Sequence, residues 1–94
     1  MDYIKVKWNH SFPDEPVWLY SEIDNERWEV RKVEVFSDGR MGFANKNRSS
    51  DTTELGEEPL PELADIAADP QFEPLGITQS EFDAVWLSAT GGSP

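Results

Sequence analysis

The chain has 94 residues, with 19 acidic and 8 basic side chains and a formal net charge of −11 at pH 7. A chain of this length forms one small domain and leaves little room for an enzyme cleft with lids. The acidic charge argues against binding to nucleic acid or to an anionic membrane surface, because both require clustered lysine and arginine.

The composition narrows the class further. The chain has no cysteine, which excludes disulfides, thiolate nucleophiles and cysteine-based zinc sites and favours a reducing compartment. No apolar segment has the length of a signal peptide core or a membrane span, so we expect a cytoplasmic protein. Hydrophobic residues make up only 37 % of the chain, but 12 % of it is aromatic, which predicts a small core rich in large rings.

The first half of the chain alternates apolar and polar residues in the way that β-strands do. We expect strands at Tyr3–Trp8, Val17–Ile23, Arg27–Phe36 and Met41–Ala44. The Asp-Gly pair at residues 38–39 is typical of a tight hairpin turn. Because successive strands are joined by short connections, we expect antiparallel pairing.

The third predicted strand carries a change of phase. Its apolar residues occupy even positions up to Val30 and odd positions from Val33 onward. A period of two cannot change parity without an extra residue. The sequence therefore predicts a β-bulge near Arg31 and Lys32.

A polar stretch at residues 45–58 separates this sheet from the helical part of the chain. It is typical of a loop, and the sequence leaves open whether it is ordered. Pro59 and Pro61 then open a short helix that continues to Ala67 and ends before Pro70.

The last helix has the clearest local signature. A turn at residues 72–75 precedes it, and Thr78 with Glu81 forms a capping box. Ile77 and Phe82 have the spacing of a hydrophobic staple. An apolar stripe follows on one side of the helix, at Phe82, Val85, Trp86 and Ala89.

Together these elements predict one α+β domain over residues 1–90. In it, an antiparallel sheet of three to four strands carries two short C-terminal helices packed on one face. Gly91 and Gly92 end the last helix, and residues 91–94 are predicted to form a disordered tail.

The charge is divided unevenly between the two halves. Residues 1–44 have a net charge of −3, residues 45–94 have −8, and no basic side chain follows Arg48. Such a one-signed surface either binds a basic partner or serves solubility alone. The candidate partner-binding acids are Glu54, Glu57, Glu58, Glu62, Asp65 and Asp69.

The usual signatures of chemistry are missing from the sequence. His10 is the only histidine, so one chain cannot form a histidine metal cluster. The acidic stretch 51–58 lacks the spacing of an EF-hand loop, and the glycines form no phosphate-binding loop. We therefore expect no catalytic residues, no cofactor and no metal.

The aromatic residues of the first strands form a second candidate surface. Tyr3, Trp18 and Tyr20 alternate with aliphatic residues, so they lie outside if the helices cover the aliphatic face. Trp18 and Tyr20 are then candidate apolar anchors for a partner. The alternative is that they form cross-strand pairs that shield the second face of a thin sheet.

The chain also resembles a known family. The stretches that carry the resemblance are residues 2–8, 13–22, 27–36 with Asp38-Gly39-Arg40, 60–61, 66–67, and 69–72 with Glu81-Phe82 and Trp86. They are similar to a bacterial domain family of unknown function, and the resemblance spans nearly the whole chain. The resemblance implies no activity and no catalytic residues. The small size and acidity of the chain are similar to those of immunity proteins of toxin systems.

These observations lead to one functional expectation and two alternatives. We expect a cytoplasmic binding protein, monomeric or homodimeric, that inhibits a basic protein such as a toxin or nuclease. The first alternative is a small-ligand or enzymatic domain that uses the sheet face around Tyr3, Trp18, Tyr20 and Arg31. The second is an accessory domain that forms a homodimer through that aromatic face.

Overall fold

A computed structural model describes residues 1–50 and 52–92 as a five-stranded antiparallel sheet with one helix on each side. The strands lie in the order β4-β3-β2-β1-β5, and every neighbouring pair is antiparallel. The elements are β1 Asp2–Trp8, β2 Pro16–Ile23, β3 Glu29–Phe36, β4 Met41–Asn45, α1 Leu63–Ala67, β5 Phe72–Ile77 and α2 Gln79–Thr90.

The predicted antiparallel α+β fold is confirmed, but the sheet has five strands where three to four were predicted. The turn expected at residues 72–75 is the beginning of β5, which pairs with β1 along its whole length. Pro74 and Gly76 disfavour a strand in local terms and are tolerated because β5 lies at the edge of the sheet. The strand depends on a distant partner, so local sequence does not reveal it.

The two faces of the sheet are both apolar. Neighbouring residues of a strand point to opposite faces, and the register aligns them across the sheet. The side that we call the α2 face includes Tyr3, Tyr20, Val33, Phe43 and Ile77. The side that we call the α1 face includes Ile4, Val6, Leu19, Ser21 and Ala44.

The predicted bulge is present in β3, one residue earlier than expected. Glu22 pairs with Arg31, but Ile23 pairs with Glu29, so Val30 is the extra residue. The extra residue shifts the inward and outward alternation of β3 by one position, for the residues before Val30. It thereby turns Glu29 to the α1 face, beside Ser21.

Helix α2 packs on the α2 face. The Thr78 hydroxyl accepts a hydrogen bond from the Glu81 backbone N–H, and the Glu81 carboxylate accepts one from the Thr78 N–H, so the predicted capping box is confirmed. Phe82 and Trp86 are buried against Val33. The whole predicted stripe therefore contributes to the core, with Val85 and Ala89 packed at its margin.

Helix α1 lies on the other side of the sheet, which corrects the prediction that both helices share one face. Ile66 faces a cavity that is also lined by Ile4 and Val6 of the α1 face. The helix begins at Leu63, so the prediction that Pro59 and Pro61 open it is wrong, and both prolines lie in the non-helical segment before it. Both faces of the sheet carry apolar residues, and each therefore needs its own cover.

The described part of loop 45–58 is held by hydrogen bonds. The Ser50 N–H donates to the Phe43 carbonyl, and the buried Thr53 hydroxyl donates to the Glu34 carboxylate at 2.7 Å. Gly91, in the predicted tail, ends α2 in the left-handed conformation, with φ 71°. Ser93 and Pro94 of that tail lie outside the described residues. Within the described ranges, no helix combines the length and the apolar character that crossing a membrane requires.

Candidate functional site

The acidic residues predicted to bind a partner lie in one segment that crosses the α1 face. We call residues 54–69 the acidic segment. Arg27 holds its middle, because the guanidinium donates to the carbonyl oxygens of Leu60 at 2.8 Å and Pro61 at 2.6 Å. The Leu60 N–H returns a bond to the Arg27 carbonyl at 2.7 Å. Arg27 adopts a left-handed backbone, with φ 68°, which is uncommon for a residue with a β-carbon.

A buried polar cluster holds the beginning of the acidic segment. The Glu29 carboxylate, only 2 % exposed, accepts hydrogen bonds from the Ser21 hydroxyl at 2.7 Å and from the Gly56 N–H at 2.6 Å. The Lys32 ammonium lies 3.3 Å from the same carboxylate and donates to the Glu54 carbonyl at 3.1 Å. Because a buried charge needs partners, this cluster both neutralises Glu29 and fixes the loop above it.

A cavity of about 420 Å³ lies between the acidic segment and the α1 face. Its polar lining consists of the Ser21–Glu29–Lys32 cluster, Asp65 of α1, and Asp69 just after α1. Most of the wall is apolar and comes from both sides, through Ile4, Val6, Leu19, Leu60, Pro61, Ile66 and Phe72. Apolar concave sites with a few polar groups are typical ligand-binding sites.

The six candidate acids are placed in three ways. Asp65 and Asp69 line the cavity, whereas Glu62 lies beside Arg27, with its carboxylate 3.5 Å from the guanidinium. The remaining acids are exposed on the earlier part of the segment, at Glu54, Glu57 and Glu58. The structure therefore brings together two of the predicted acids at a concave site and leaves the others on the surface around it.

The aromatic candidates lie on the opposite side of the sheet. Tyr3 and Tyr20 pack against the α2 core, and the Tyr3 ring centroid is 5.7 Å from that of Phe82. Burial raises the pKa of both phenols, and the nearby Glu22 carboxylate raises the pKa of Tyr3 further. The sequence places these tyrosines outside only if both helices cover the aliphatic face. That condition is not met, because α2 covers the face on which the tyrosines lie.

Trp18 is the aromatic candidate that stays at the surface. It is half-buried, and the Lys5 ammonium lies 5.2 Å from its ring centroid. It shares the α2 face with Tyr20 but lies beyond the part that the helix covers. Trp18 and the acidic segment therefore lie on opposite faces of the sheet.

Arg31 is the cationic residue of the alternative aromatic site, and its guanidinium is engaged by contacts within the protein. Its guanidinium donates to Glu22 at 2.7 and 2.9 Å and to Asp83 of α2 at 2.9 Å. It also lies over the rings of Phe82 at 4.8 Å and Trp86 at 5.2 Å. The bonds from Arg31 hold the pKa of Glu22 below its ordinary value, despite burial. Arg31 thus fastens α2 to the sheet and is not presented to a ligand.

Besides the apolar walls, sequence reasoning missed three polar side chains of the cavity: Ser21, Glu29 and Lys32. No motif marks them, because they converge only after strand pairing and after the loop closes onto Gly56. The one available signal was the predicted bulge, which changes the face on which Glu29 lies.

Comparison with known proteins gives one match. The family model described as "Domain of unknown function (DUF6881)" matches residues 2–91, which confirms the resemblance seen in the sequence. Neither the curated proteins nor the solved structures gave a match. The family description assigns no activity, so function has to be argued from the site itself.

Proposed function

The chain belongs to the DUF6881 family, a domain of unknown function, and from its geometry we propose that it is a small acidic protein that binds and inhibits a basic partner protein. One observation carries the proposal. Glu57, Glu58 and Asp65 are exposed, and none of them forms an ion pair within residues 1–50 and 52–92.

Three of the eight basic side chains are paired with acids outside the acidic segment. Arg31 is paired with Glu22 and Asp83, and Lys32 is paired with Glu29. Arg40 is paired locally with Asp38, and their atoms are 2.8 Å apart. The acidic segment therefore keeps a negative field, apart from the contact of Glu62 with Arg27. Such a field accelerates encounter with a cationic protein and disfavours acidic competitors.

The mechanism that follows is occlusion. A basic groove, such as the substrate channel of a nuclease or another toxin, is covered when its lysines and arginines face the acidic segment. Because Trp18 lies on the other face of the sheet, one flat partner surface meets either the acids or Trp18, and we propose the acids. The lack of cysteine supports a cytoplasmic site of action.

The test is charge reversal with a matched control. The variant Glu57→Lys/Glu58→Lys/Asp65→Lys reverses acids without an ion pair. The control, Asp14→Lys/Glu15→Lys/Glu26→Lys, makes the same change in net charge on exposed turns of the sheet half. Each protein is used to capture partners from the native cell, and binding of the captured protein is then measured by calorimetry at two salt concentrations.

The expected result is a basic protein that binds the wild type and the control and loses at least about 100-fold in affinity for the acidic-segment variant, which corresponds to about 2.7 kcal/mol. Affinity of the wild type should fall with added salt. Equal affinity in both variants, or a captured partner that is not basic, would contradict the proposal. Circular dichroism establishes that both variants remain folded.

A further inference from the structure

The cavity on the α1 face has a mostly apolar wall, and a surface that acts by charge alone does not use it. From this we infer that it is a binding site for a small organic cation with an apolar body, such as an alkyl or cycloalkyl amine. The inference goes beyond the proposed function, because such a ligand needs no partner protein.

The shape of the site fits a small molecule. Its volume of about 420 Å³ lies within the range of small-molecule sites, roughly 300–1,000 Å³. The sheet supplies one wall, through Ile4, Val6 and Leu19, and the acidic segment supplies the other, through Leu60 and Ile66. A ligand between these walls removes apolar surface from water on both of its sides.

The buried polar cluster does not select the charge of the ligand. Both carboxylate oxygens of Glu29 accept hydrogen bonds, from Ser21 and Gly56, and its charge is paired with Lys32. The Lys32 ammonium also donates a hydrogen bond to the Glu54 carbonyl. These groups are already partnered, so an anion gains little from Lys32.

The charge that remains is negative and comes from the helix side. Asp65 lines the cavity and forms no ion pair within the described ranges. Asp69 also lines it, and among the described residues its carboxylate accepts one hydrogen bond, from the backbone N–H of Gln71 at 3.0 Å. Two carboxylates without a cation at an apolar site favour a ligand whose positive group lies at α1 and whose apolar body lies against the sheet.

Three probes of nearly equal shape test this: cyclohexylmethylamine, cyclohexylmethanol and cyclohexanecarboxylate. Each is titrated into the isotopically labelled full chain and followed by the amide and methyl NMR signals. The expected result is that the amine shifts Ile4, Val6, Leu19 and Ile66 and binds at least about fivefold more tightly than the alcohol, with the carboxylate weakest. Added salt should narrow the difference.

Two variants locate the interaction. Asp65→Asn/Asp69→Asn keeps the side-chain shapes, so it should bind the amine and the alcohol equally. Asp14→Asn/Glu15→Gln removes the same charge from an exposed turn and should retain the preference for the amine. Ile66→Trp fills the cavity from a half-buried position on α1 and should abolish binding of all three probes while the sheet signals remain dispersed.

The inference is overturned if the three probes bind alike, if the carboxylate binds best, or if the shifts occur away from the cavity. It is also overturned if no probe shifts the cavity signals. These measurements use the isolated protein, so they are independent of whether a basic partner is found. Conversely, partner binding is compared between Glu57→Lys/Glu58→Lys/Asp65→Lys and its control without any amine present, so its outcome does not depend on whether the amine binds.

Discussion

The two faces of the sheet are covered in different ways. On the α2 face, a twelve-residue helix buries Phe82 and Trp86, and Arg31 ties that helix to the sheet by ion pairs. On the α1 face, a five-residue helix has no buried residue of its own and leaves a cavity beneath it. The α2 face is therefore closed by a packed helix, whereas the α1 face, although Ile4, Val6 and Ile23 are buried there, keeps the open site that we propose for binding.

Charge follows the same division. Two acids on the α2 side, Glu22 and Asp83, are neutralised by Arg31. Among the acids of the acidic segment, Glu62 alone forms an ion pair within the described ranges, and its partner is Arg27. Uncompensated charge opposes the folded state, so its concentration on the more open face is expected where binding, not stability, is favoured.

The largest expected effect is a difference in the free energy of unfolding between variants of α2 and variants of α1. Phe82→Ala removes a fully buried ring from the core of the α2 face and should lower the free energy of unfolding by about 3–5 kcal/mol. Ile66→Ala on α1 should lower it by about 1 kcal/mol or less, because that side chain is only half-buried above a cavity. Urea denaturation of both variants measures the difference. Equal losses would show that the α1 face contributes as much stability as the α2 face.

The next effect tests the ion pairs under α2. Arg31→Ala leaves Glu22 buried without its partner and should cost about 3 kcal/mol. Arg31→Lys keeps the charge but not the two-pronged bond to Glu22, so it should fall between the wild type and the alanine variant. Denaturant midpoints give the order. A loss in Arg31→Lys as large as in Arg31→Ala would mean that the geometry, and not the charge, holds the helix.

The pH dependence of stability also tests the ion pair between Arg31 and Glu22. Arg31 lowers the pKa of Glu22 in the folded protein below its ordinary 4.5, so this carboxylate stabilises the fold above that pH. The contribution is lost as the pH falls through the folded-state pKa. The stability difference between the wild type and Glu22→Gln should therefore be largest near neutral pH and shrink in acid. Unfolding at a series of pH values, with Glu57→Gln as the control on the acidic segment, measures it.

The sequence predicted most of the α2 side because its signals are local. The capping box of Thr78 and Glu81 lies within four residues, and the apolar stripe repeats at helical spacing. Strand alternation placed β1 to β4, and the parity change located the bulge at Val30 within one residue. Patterns of this kind are set by neighbouring residues, so a sequence displays them.

The α1 side was less predictable because it is held by distant contacts. Strand β5 exists through pairing with β1, across roughly 70 residues of chain. The cavity exists because Glu29 binds Gly56 and Arg27 binds Leu60, contacts 27 and 33 residues apart. The acids were found from composition, but the apolar walls beside them were not. Composition reports what a segment carries and not which face of the sheet it crosses.

The smallest expected effect compares paired with unpaired acids. Asp83→Asn removes a partner of Arg31 at a half-exposed site and should lower the urea midpoint slightly. Glu57→Gln/Glu58→Gln removes two exposed charges that form no ion pair in the described part of the chain, and it should raise the midpoint slightly, with the gain vanishing at high salt. Opposite signs at low salt would show that acids on the two faces act differently in the folded protein. A loss of stability in both variants would instead mean that the acidic segment contains favourable charge interactions, and the division of the molecule into a stabilised face and a binding face would then fail.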